Sequence, residues 1–286
     1  MAPTPTLARR FWEAIEPIHA VAYFAPESAE AVRRTGLRGF WMGYFASRVA
    51  PLGPVPPQVV AAMAYGFAPA MVARAIPDAW GFAAPGAVLD ARMTGVAAAL
   101  RASLDPTAVA DLTELSGLLW EAVAGCQFDG RPLAAAWSTA PRPADPVASA
   151  WLATTILREH RGDGHVLAAV GAGLRGLDAT LTLVATGAIT REVIQPSRGW
   201  SDEDWAQSLS GLRARGMLDR DGRLTKVGGA LRRDIEELTD RLAAAPVERL
   251  GPTGVQRAID LATPISRHLV DTGVIPVPNP MGAPRP

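Results

Sequence analysis

A chain of 286 residues and 30.1 kDa is long enough for two domains or one large one. Its 49% hydrophobic and 20% charged residues exclude a disordered chain, and 28 basic against 28 acidic groups exclude a grip on nucleic acid or membrane by bulk charge. One cysteine, Cys126, excludes an internal disulfide and every multi-cysteine metal site, and it fits a reducing cytoplasm.

The opening segment, Met1–Arg10, leads into an amphipathic stretch rather than an apolar one, so no signal peptide is expected. Phe11, Ile15, Ile18 and Ala22 then recur at helical spacing, and Trp12, Glu16, His19 and Tyr23 share the neighbouring stripe. Pro17 either kinks that helix, at about 3 kcal/mol, or starts a new one. His19 lies in the apolar run Ile18–Phe24. It reads as a hydrogen-bonded core histidine or as a partner for His160 or His165 from across the chain. Glu16 and His19 match Glu-x-x-His, but a di-iron carboxylate bundle needs that pair twice. Leu157 and Gly162 stand where the second glutamate would be.

Phe40, Trp41, Tyr44 and Phe45, with Tyr65, Phe67 and Trp80, form ordinary core or wall an apolar pocket. The charge-free run between Arg48 and Arg74 carries Pro51, Pro54, Pro56, Pro57 and Pro69, so it is not one membrane helix. A buried arginine at either edge would mark an anionic partner, from ligand or protein. Leu112, Leu115, Leu119 and Val123 give a further helix, and the first half reads as five or six. The stretch Ser138–Pro146 holds Pro141, Pro143 and Pro146 and reads as a linker. It divides the chain into an N-terminal helical domain, 1–144, and a second domain, 145–286.

In the second half Trp151–Glu159 is helical and leads into Arg158-Glu159-His160-Arg161-Gly162-Asp163-Gly164-His165, where six of eight residues ionise. Gly162 and Gly164 interrupt the helix, and Asp163 caps a new one running to about Leu174. This corner is either a solvated set of Arg–Glu pairs or a ligand pocket. As a pocket, it offers His160, His165, Glu159 and Asp163 for acid–base chemistry. Arg158 and Arg161, with His19, Tyr23, Tyr65 and Arg74, are the candidate ligand-binding residues. The spacing of His160 and His165 is not that of one helix face, and no metal site is expected. Gly171–Gly176 follows a helix rather than a strand, so no phosphate loop or cofactor is expected either.

Asp178–Thr186 and Thr190–Ile194 read as short helices. Ser201, followed by Asp202-Glu203-Asp204, caps a helix running to Gly216. Asp221-Gly222 signals a hairpin. Long helices follow from Lys226 to Ala244 and from Thr253 to Asp271, and the tail Ile275–Pro286, with five prolines, is irregular.

This order, with Leu212–Asp219, Gly222–Thr225 and Gly228–Leu231, resembles MarR-type regulators over roughly residues 175–245. The whole chain also resembles an uncharacterised actinobacterial helix-turn-helix family, through His19-Ala20-Val21, Arg158–His165 and Gly199–Asp202. The resemblance implies a mostly α fold: a helical domain plus a winged helix-turn-helix domain with a small β-hairpin wing. A homodimer through the terminal helices is the assembly it suggests.

Charge argues against DNA as a partner. Carboxylates occupy the first turn of the would-be recognition helix, and Ser197–Lys226 holds six basic and five acidic residues. The expected function is therefore binding of a small organic molecule in the cytoplasm. Cofactor-free acid–base chemistry on that molecule is what the charged segment would allow. The alternative is a ligand-responsive MarR-like regulator binding DNA through Arg213, Arg220 and Arg223.

Overall fold

The computed structural model describes residues 4–286; Met1–Pro3, which open the segment read as leaderless, lie outside the described residues. The first 144 residues form α1 (Thr4–Phe24), α2 (Pro26–Arg33), α3 (Gly39–Val49), α4 (Pro57–Met63), α5 (Pro69–Ala73), α6 (Pro85–Ser103), α7 (Pro106–Val123) and α8 (Pro132–Ser138). Among the described residues of this half, eight helices stand where five or six were expected. The extra ones are short pieces around the proline-rich run. Pro26, Pro57, Pro69, Pro85, Pro106, Pro132 and Pro146 each open a helix. Proline at the first helical position has its φ preset and gives up only an N–H that would be unpaired there anyway.

The second half holds α9 (Pro146–Gly171), α10 (Gly176–Val184), α11 (Arg191–Arg198), α12 (Asp202–Ala214), α13 (Lys226–Leu242) and α14 (Ala244–Asp271), the last broken at Gly251. The fold is mostly helical, with no strand among the described residues. No single described helix is long and apolar enough to cross a membrane.

Apolar residues gather in two cores. The larger takes residues from α1 through the first half of α9 and again from Ala243 onward; α14 returns to lie along α1 and α7. There the Ser266 hydroxyl donates to the Ala14 carbonyl at 2.6 Å. The smaller joins Ala168, Leu177, Leu181, Ile194, Trp205, Leu212, Leu218 and Ile235, from the end of α9 through α13. α9 is thus the beam shared by both.

Of the two readings of Pro17, the structure has the helix that continues through it, with Glu16 to Val21 all buried. The expected interruption at Gly162 and Gly164 is absent, and α9 runs through both. Each glycine costs a helix about 1 kcal/mol relative to alanine, and packing on α1, α7, α8 and α13 overrides it. Gly164 also lets α13 come close: a Cβ there would stand 3.3 Å from Leu242 Cβ. Asp163 accordingly caps no new helix. Its Oδ2 accepts the Leu133 and Ala134 amides, both at 3.0 Å, and so caps α8 from outside.

The predicted hairpin is a tight turn with a single antiparallel bridge, Leu218 to Leu224. The Asp219 amide donates to the Arg223 carbonyl at 2.9 Å and the Thr225 amide to Met217 at 3.0 Å. Asp219 Oδ1 takes the amides of Asp221 and Arg223, each at 2.9 Å. On the open side the pairing stops because the Met217 amide donates back to the Leu212 carbonyl and Thr225 already caps α13, so the expected β-hairpin wing is not formed.

Candidate functional site

The charged segment of α9 is a buried ion cluster rather than a solvated corner. Glu159, 1% exposed, accepts from Arg48 at 3.1 and 3.0 Å and from Arg158 at 2.8 Å. Arg158 also reaches Glu16 at 3.5 Å, and Glu16 accepts from the Trp12 indole at 2.8 Å. Burial would raise the Glu159 pKa, but Arg158 and Arg48 hold it well below the usual carboxylate range. Arg48, at the edge of the charge-free run, therefore meets a protein anion, whereas Arg74 is exposed.

The three imidazoles singled out in sequence take separate partners. His19 Nδ1 lies 3.0 Å from Thr155 Oγ1, and that hydroxyl donates to the Trp151 carbonyl. With its one hydrogen spent, Thr155 accepts, so His19 is protonated on Nδ1. Its Nε2 has no partner among the described residues. His165 Nδ1 donates to Thr239 by the same logic, since Thr239 donates to Ile235. His160 Nε2 accepts the Gln127 amide at 3.3 Å. Burial lowers all three pKa values, that of His160 to about 4, and each ring is neutral at pH 7. Burial also pushes Asp163 up, to about 6.

The remaining candidates are spread through the molecule. Arg161 pairs with Asp240 at 2.8 Å and lies over the Trp12 ring. The Tyr65 hydroxyl donates to the Leu174 carbonyl. Tyr23 is the candidate that reaches a sizeable cavity, of about 250 Å³, between α1, α2, α3 and α6. Among the described residues no group of His, Cys, Asp or Glu has the arrangement to hold a metal ion.

That cavity is lined by Val32, Leu37, Phe40 and Tyr44, with Tyr23, Ser28, Ser47 and Arg92 supplying polar groups. α2 lies close enough to α6 to form it because residue 95 is glycine; a Cβ there would fall 2.7 Å from Ala31 Cβ. Arg92 is 1% exposed, and its Nη1 donates to Ser47 Oγ at 2.7 Å. Its guanidinium lies over the rings of Tyr23, Trp151 and Trp137 at 4.7, 5.4 and 5.8 Å. Arg48, Arg158 and Arg198 stand nearby against Glu16 and Glu159; they outweigh burial and pull the Tyr44 pKa below its ordinary value. The surroundings are net positive. Sequence analysis passed over Arg92, although it falls in phase with Val88, Val96 and Ala99 on the buried stripe of α6.

At the other end of α9, helices α10 to α13 build a compact unit around Trp205 and Leu212. Two of the three carboxylates opening α12 are engaged. Asp204 completes a capping box with Ser201, and Asp202 accepts from Arg191 and Gln195 at 2.6 and 2.9 Å. The far end of α12 and the following turn expose Arg213, Arg215, Arg220, Arg223 and Lys226. Arg213 braces that turn by donating to the carbonyls of Asp219 and Arg220. No curated protein and no solved structure matches the chain. Residues 8–276 match the model of the Helix-turn-helix family, and the chain belongs to that family.

Proposed function

We propose that the protein is a cytoplasmic, ligand-responsive DNA-binding regulator, with a mechanism akin to that of MarR-type proteins. The observation that carries this reading is the family match, which spans the α10–α13 unit. The distribution of charge supports it and moves the contact away from the start of α12. Between Arg213 and Lys226 five basic residues face two acidic ones, Asp219 and Asp221. The acidic first turn is partly neutralised by Arg191. Arg220 and Arg223 on the turn meet phosphates, as a wing does, while Arg213 holds the turn in place.

A mobility-shift survey of purified protein against genomic fragments at low salt tests this. Retarded fragments, with binding that weakens steeply as salt rises, are expected. If no fragment is retarded, the protein is not a regulator of this kind.

A further inference from the structure

We propose that the cavity between α1, α2, α3 and α6 binds an organic carboxylate, with its charged end on Arg92 and its apolar body against Leu37 and Phe40. Seven buried side-chain polar atoms lack a partner among the described residues, and four of them belong to Tyr23, Ser28 and Arg92, which line this one space. They are Tyr23 Oη, Ser28 Oγ, and Nε and Nη2 of Arg92. No carboxylate lies within ion-pair distance of Arg92 among the described residues. A buried charge without a counter-ion is costly, and the aromatic faces around Arg92 offset only part of that cost.

The unpartnered atoms also specify a ligand. Nε and Nη2 are neighbouring donors on one edge of the guanidinium, a fork that matches the two oxygens of a carboxylate. Tyr23 and Ser28, which line the same cavity, each carry an unpartnered hydroxyl besides. A neutral amide offers this fork one oxygen, and inorganic phosphate has nothing for the apolar walls. A dry cavity of roughly 150 Å³ suffices for benzene, so about 250 Å³ takes a ring or a medium alkyl chain with its acid group. Phe40, 57% exposed, stands at the mouth.

Only the ligand's role as an effector rests on the regulator reading; binding itself does not. Thermal melts and calorimetry of the full chain, without DNA, use phenylacetate and octanoate as probes. Phenylacetamide, octanamide and inorganic phosphate serve as controls, in wild type and Arg92→Met. The acids should raise the melting temperature saturably, with each amide binding roughly 100-fold more weakly. Arg92→Met should lose the response yet melt, unliganded, no lower than wild type, because it removes an unpaired buried charge. The proposal is overturned if neither acid outperforms its amide, if phosphate matches the acids, or if Arg92→Met keeps the response. A large drop in the unliganded melting temperature of Arg92→Met would make Arg92 a structural residue and overturn it as well. A failed gel shift leaves these melts unaffected, so the two readings fall separately.

Discussion

Glu159, its side chain 1% exposed, balances Arg48 and Arg158, whose side chains are mostly buried. Removing one partner of such a cluster strands the others, so Glu159→Gln should cost about 3–5 kcal/mol in denaturant unfolding; a loss below 1 kcal/mol would mean that water solvates the cluster. His160 sets a pH dependence. Its folded pKa, about 4, lies below the unfolded value near 6.5, so the unfolded chain binds more protons between these limits. Its share of stability is complete above pH 6.5 and is lost as pH falls towards 4. His19 and His165 act in the same direction, and Asp163, with its raised pKa, acts against them. Glutamine can keep the hydrogen bond from Gln127 without titrating. His160→Gln should therefore flatten the fall in melting temperature between pH 6.5 and 4, and an unchanged profile would show that the ring is solvated. The polar character of Arg158–His165 was legible in sequence. Its partners were not, because Arg48, Thr239 and Asp240 lie 74 to 111 residues away in the chain.

Helix starts were legible where the chemistry is local. Ser201 with its capping box and the start of α13 at Lys226 sit where sequence signals place them, whereas α9 starts at Pro146, five residues before the expected Trp151, inside the stretch read as a linker. A helix interior was misread where long-range packing overrode a local cost, at Gly162 and Gly164. The hairpin signal at Asp221-Gly222 located the turn, but it could not reveal that Met217 would donate back to α12 and Thr225 would cap α13, which leaves a single bridge. Gly228 shows the reverse case. A Cβ at this position would run into the Met217 carbonyl, where α13 crosses the base of the turn. Backbone cannot yield as a flexible side chain does, so Gly228→Ala should destabilise by about 1–3 kcal/mol. Limited proteolysis should then cut first within 217–225; an unaltered digestion pattern would contradict this packing.

At the scale of the whole molecule, α9 links two cores that sit at opposite ends of its length. The exposed basic residues of α12 and the turn belong to the second, and the cavity beside Arg92 belongs to the first. Composition concealed both features: a net charge of zero hides a local excess of basic residues, and one arginine among many does not announce its burial.

The central claim is that Arg220 and Arg223 carry phosphate contacts. The most direct measurement is the salt dependence of affinity for a retained genomic fragment, in wild type and in the Arg220→Ala/Arg223→Ala double variant. Each neutralised phosphate adds about 0.9 to the slope of log affinity against log salt. The double variant should thus bind more weakly, with a slope shallower by roughly 2. Identical slopes, or no DNA bound by wild type at any salt, would contradict the account.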